Sequence, residues 1–144
     1  MPNMFLTICL LVSPAFGFLH PLIGSLSDKW GRWPFIFGLG LAAATALAAT
    51  PLSLAVASLG WLLAIVLYGV ADTAHDLLTT PTRAQMNDVF ETSQAERRIA
   101  LGGGLGRVFA SVCCTLMSRE AAFGTVGGVI MLFTLSQLAV RKVV

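Results

Sequence analysis

Charge is what this sequence has least of. Only 11% of its 144 residues are Asp, Glu, Lys or Arg, where soluble domains carry about 25%. With 56% apolar residues, a water-soluble fold of this length has too little polar surface to cover itself. The mean hydropathy of +0.83 points to lipid as the solvent for most of the chain. The net charge of +2 is small and dispersed, which leaves no basic patch for nucleic acid. Cysteine is scarce too. Cys9, Cys113 and Cys114 are odd in number, lie inside apolar runs and show no CxxC or Cys/His metal spacing. They read as small buried residues. The motifs of zincins and of intramembrane proteases are missing, so the chain is not read as an enzyme. No Lys or Arg precedes the apolar start "MPNMFLTICLLVSPAFGF", and its apolar character runs on to Leu26, unlike a cleaved secretory signal.

What is there is long apolar runs. A helix crossing a bilayer takes about 20 mostly apolar residues. Five stretches meet this requirement, about 4–26, 34–55, 59–81, 98–117 and 121–140. The fold class expected is an all-α integral membrane domain occupying residues 1–144. If all five spans cross, Lys29, Arg32, Arg83, Arg97, Arg98, Arg141 and Lys142 share one side, seven of the nine basic residues. The excess of Lys and Arg marks that side as cytoplasmic. The N-terminus is then outside and the C-terminus inside, in a multi-pass protein of the plasma or an organelle membrane. "FGLGLAAATALAA" and "LGGGLGRV" place small residues three and four apart, a spacing that lets membrane helices pack backbone to backbone. Gly102, Gly103 and Gly104 in a row predict a soft or kinked start to the fourth span.

The third span carries unusual charges in "YGVADTAHDLLTTPTRAQMND". Asp72, His75 and Asp76 stand at i, i+3 and i+4, predicting one shared helix face. Arg83 follows Asp72 by three turns, on a similar face. Charges at bilayer depth are costly and face a cavity or a partner. Two carboxylates one turn apart resist ionising together in a dry site, so one is expected to hold a proton and carry it. His75 is a candidate to titrate beside them. The blander reading is that these groups line a helix end or pair internally. Arg107, mid-span in "GGGLGRVFAS", has Asp72 or Asp76 as its natural partner on the neighbouring span. Otherwise it snorkels near a helix end. His20, beside Pro21, reads as a packed or interface histidine.

"IGSLSDKWGRWP" sets Asp28, Lys29 and Arg32 between two apolar runs. Gly31 supplies a turn, Asp28 caps the next helix or pairs with Arg, and Gly24 lets the first span approach a neighbour. The order Gly24-x-x-x-Asp28-Lys29-x-Gly31-Arg32 resembles the signature loop of the major facilitator superfamily, with Trp33 where that family has a second basic residue. The resemblance implies a cytoplasmic latch between the second and third helices of a half, bonding to the other half in the outward-open state. "DTAHDLLTTPTRAQMND" is in turn similar to the fourth helix of the sucrose–proton symporters and their glycoside relatives, with Asp72, Pro81, Arg83, Ala84 and Asp88 matching in order and spacing. Asp76 falls where that group has asparagine, and its basic insertion before Gly31 is missing. This resemblance implies a proton-coupling carboxylate at Asp72, a substrate or charge-pair role for Arg83, a sugar substrate, and a proton but no further cofactor. Facilitators build two six-helix halves around a midplane site. The five spans then correspond to helices two to six of the N-terminal half, whose partners are the bilayer, a first helix and a C-terminal half. The alternatives are a small membrane subunit or scaffold binding partner helices, or a non-functional truncated remnant.

Overall fold

The structure is a computed structural model that describes residues 16–54 and 60–140. These residues form five α-helices and no strand: α1 Leu19–Trp30, α2 Arg32–Leu54, α3 Gly60–Val89, α4 Thr92–Leu116 and α5 Arg119–Val140. Three of them are long and apolar enough to cross a membrane, over Arg32–Ser53, Gly60–Val89 and Thr92–Leu116. The apolar part of α5 is shorter, Glu120–Ser136.

Helix boundaries differ from the expected spans where polar residues were taken as loop. Most of the first stretch, before Phe16, lies outside the described residues. Its helical end runs past Leu26 to Trp30, and α2 starts at Arg32, so the loop expected over Ser27–Trp33 shrinks to Gly31. The third span does not stop at Pro81 but continues to Val89. Proline removes one backbone donor and normally disrupts a helix, yet membrane helices tolerate it where Ser or Thr hydroxyls re-satisfy the carbonyls. Here the carbonyl that Pro81 leaves without its helical donor is that of Leu77; Thr79 Oγ1 donates to the Asp76 carbonyl at 2.7 Å and Thr82 Oγ1 to the Leu78 carbonyl at 2.8 Å, on either side of it, and Pro81 itself is fully buried. The fourth span starts six residues early, at Thr92, because its polar first turns are helical too.

The side-chain pairings fix the directions of the helices. His20 meets Asp76, and Arg32, just past the end of α1, reaches Asp88, so α1 and α3 run parallel. Gly40 faces Thr134 while Ala48 faces Gly127, so α2 and α5 run antiparallel. Helix α2 is the centre, packed on α1, α3 and α5.

The interior is made of small residues. Ala43, Ala44, Ala46, Ala64, Ala71 and Ala74 are buried, while Trp61, Val66, Leu101, Leu105, Leu132 and Phe133 are exposed. The expected close packing of "FGLGLAAATALAA" is found. A Cβ built on Gly127 would lie 2.7 Å from the Ala48 nitrogen and 3.1 Å from the Ala44 oxygen. The "LGGGLGRV" glycines behave otherwise. Helix α4 is continuous through them, and Gly102, Gly103, Gly104 and Gly106 have nothing within 4 Å of an added Cβ.

Candidate functional site

Two polar clusters stand between α1 and α3. The inner one joins His20 to Asp76 and Thr80. His20 Nε2 lies 3.0 Å from Asp76 Oδ2, and Nδ1 lies 2.8 Å from Thr80 Oγ1. With Asp76 ionised and the ring neutral, Nε2–H donates to the carboxylate and the Thr80 hydroxyl donates to Nδ1, so one ring ties α1 to two successive turns of α3. Side chains of His20 and Asp76 are 30% and 46% exposed, which leaves the pair open to an incoming group. Gly24 lies one turn further along α1, where an added Cβ would meet Thr80 Cγ2 at 3.5 Å. That is ordinary contact, so the approach does not require glycine there.

Asp72 is half-buried one turn before Asp76 and makes no hydrogen bond or ion pair among the described residues. The two carboxylates therefore differ: Asp76 is held by His20 and Asp72 is open. His75 does not join them. At about 100° per residue it stands about 60° behind Asp72 while Asp76 stands about 40° ahead, and it is exposed. Arg83 is also exposed, with no ion pair among the described residues. The expected pairing of Arg107 with Asp72 or Asp76 is not formed. Helix α4 touches α3 and α5 only lightly, burying Ala95 and Cys113, and Arg107 faces outward. Thr80 is the site residue that sequence reasoning passed over, and His20, read as a packed or interface histidine, sits at the α1–α3 contact. A signal was present: His20 precedes Trp30 by ten residues and Asp76 precedes Asp88 by twelve, which sets both at similar depth from the charged end.

The outer cluster sits at the α1–α2 turn. Gly31 has φ 87° and ψ 147°, a region essentially reserved for glycine. This turn carries Arg32 to Asp88 on α3, while its other nitrogen donates to Asp28 Oδ1 at 3.4 Å. Of the two roles expected for Asp28, pairing is the one observed. Lys29 is exposed on the last turn of α1. Trp33 stacks on Phe37 with centroids 5.1 Å apart. An open hollow of about 410 Å³ lies beside these charges, bounded by Ser27, Trp33 and Gln85. The Arg98 guanidinium lies 4.0 Å over the Phe90 ring and brings the start of α4 to the same end. Lys29, Arg32, Arg97 and Arg98 thus gather at one end of the bundle, as their sequence positions implied. Exposed ion pairs contribute about 0–1 kcal/mol each, so the turn itself is the stiffer device. Gly31→Ala is expected to cost about 1–3 kcal/mol through backbone strain alone, since an added Cβ there meets nothing within 4 Å. A detergent unfolding titration showing no loss for this variant would contradict that account.

Among the described residues no three His, Cys, Asp or Glu converge as a metal-ligand set. In comparisons with protein-family models, curated proteins and solved structures, nothing matches this chain.

Proposed function

We propose that this chain is a multi-pass membrane bundle, the helix-two-to-six portion of a facilitator-type N-terminal half, working within a larger proton-coupled sugar transporter. The inside-out distribution of residues supports the membrane part. Alanines fill the interior and large apolar side chains face out, as expected where lipid rather than water surrounds the helices. In water, apolar patches beyond a few hundred Å² are a liability. The clustering of Lys29, Arg32, Arg97 and Arg98 at one end supports a cytoplasmic position for that end.

The observation that carries the transport part is the pair of unequal carboxylates halfway along α3. One is tied to His20 and the other has no partner among the described residues. Ionisable groups at that depth mark substrate and proton paths. Asp72 is the proposed proton carrier, Asp76 and His20 the group that positions it and the substrate, and Arg83 a substrate or charge-pair residue. The Gly24–Arg32 segment, tied to Asp88, serves as the latch. Alternating access takes a second bundle rocking against this one. The substrate is proposed to be a sucrose-like disaccharide or glycoside.

The test is uptake of labelled sucrose by cells expressing the complete open reading frame that contains these helices. Acid-stimulated uptake abolished by a protonophore is expected. Membrane insertion with no proton-dependent uptake of any of a panel of disaccharides and glycosides would sink the symport reading in favour of a membrane scaffold.

A further inference from the structure

Arg107 is the group that the proposed transport chemistry does not use. All seven side-chain carboxylates of the chain lie within the described residues, and none pairs with it. The apolar part of α4 runs from Ile99 to Leu116, with Arg107 eight residues after the first and nine before the second. At 1.5 Å per residue it lies about 12 Å from one end and about 14 Å from the other. Half of a hydrocarbon core is about 15 Å. Lipid phosphates at either surface are therefore beyond the reach of its side chain.

The surroundings of Arg107 divide α4 into two faces. Leu101, Leu105, Val108, Val112 and Leu116 form one exposed apolar face, suited to lipid. Arg107 stands on the other. Its neighbours at i−4, i−3, i+3 and i+4 are Gly103, Gly104, Ala110 and Ser111. Added Cβ atoms on Gly103 and Gly104 would meet nothing within 4 Å. A second helix can approach this face closely, and a guanidinium at its centre, in lipid, requires an opposite charge.

Granted only that α4 crosses a membrane, as proposed above, we propose that this face docks a transmembrane helix of a partner that carries one Asp or Glu at mid-depth. The partner carboxylate takes the Arg107 fork from the side, and small residues one turn above and below keep the backbones close. A second copy of this chain is a poor occupant, because Asp76 is committed to His20 and Asp72 is half-buried beside it.

The test uses the full chain reconstituted in phosphatidylcholine vesicles and fluorescent Leu/Ala probe helices, identical except for a central Glu or Leu. Energy transfer to the Glu helix is expected to exceed that to the Leu helix roughly tenfold in apparent affinity, in line with interhelical polar contacts of about 1–2 kcal/mol. Arg107→Leu should remove the difference and Arg107→Lys should retain part of it. Equal binding of both probes, or a preference that survives in Arg107→Leu, would overturn the proposal. So would energy transfer between two labelled copies of the chain that the Glu helix fails to displace. Release of the chain by alkaline carbonate would overturn the membrane reading as well, which separates the two failures.

Discussion

Gly127→Ala is expected to lower the stability of the bundle by roughly 1–3 kcal/mol, the usual cost of overpacking, while Gly128→Ala beside it does not. The new methyl at position 127 would lie 2.7 Å from the Ala48 nitrogen, 3.0 Å from its Cα and 3.1 Å from the Ala44 oxygen. All three are backbone atoms of α2, so no side chain can rotate out of the way. Helices α2 and α5 must separate instead. Because α2 also carries α1 and α3, the separation disturbs the centre of the fold. Alanine returns about 1 kcal/mol of helix propensity over glycine, which offsets part of the loss. At Gly128 nothing lies within 4 Å of the added atom, so only that gain remains. Gly40→Ala falls between the two. Its methyl would meet Thr134 Oγ1 at 2.8 Å, a side-chain atom that can move, but at the expense of its 2.8 Å bond to the Ile130 carbonyl. Unfolding by sodium dodecyl sulfate in mixed micelles, followed by far-ultraviolet circular dichroism, reads all three. Equal midpoints for the variants at 127 and 128 would mean that α2 and α5 do not pack backbone to backbone.

The helical class and the close-packing small face of α2 were legible because composition and three-to-four spacing encode them directly, whereas its partner Gly127 on α5 was not. The turn at Gly31 was legible as well, since glycine between charged residues and two apolar runs has few other uses. Boundaries were not. Hydropathy sees side chains, and the helical ladder is a backbone property, so α3 passes through Pro81 and α4 begins in the polar "TSQAERR". Pair partners at the site were half legible. The spacing of Asp72 and Asp76 places both on one side of α3, but the same arithmetic sets His75 about 100° away from Asp76, where it is exposed. Choosing Asp76's partner required knowing that α1 and α3 run parallel and adjacent, and no single span reports that. Arg107 was assigned to the nearest acidic span by chain order, whereas α4 is held mainly at Ala95 and Cys113 and leaves the middle of its small face clear.

In the proposed transporter, Asp72→Asn is expected to reduce proton-driven sugar uptake to background while leaving the chain folded and inserted. Asn keeps the size and polarity of the side chain but cannot hand on a proton, and no hydrogen bond among the described residues is lost with the carboxylate. Substrate exchange without a proton gradient should survive, because the proposed role of Asp72 is coupling rather than binding. His20 should behave differently. His20→Ala strips Asp76 of the imidazole at 3.0 Å and Thr80 of its partner at 2.8 Å. Both bonds tie α1 to α3, and a hydrogen bond to a charged group contributes about 1.5–3 kcal/mol at most where it is buried, so both uptake and the attachment of α1 to α3 should weaken. His20→Gln offers an amide N–H to Asp76 and an amide oxygen to the Thr80 hydroxyl. It should restore the attachment of α1. If it also restores proton-driven uptake, His20 is a positioning residue and the proton travels through Asp72 alone. If exchange returns but driven uptake does not, the imidazole itself lies on the proton path. Wild-type uptake by Asp72→Asn would remove the carboxylate from the mechanism and, with it, the reason for reading α3 as the coupling helix.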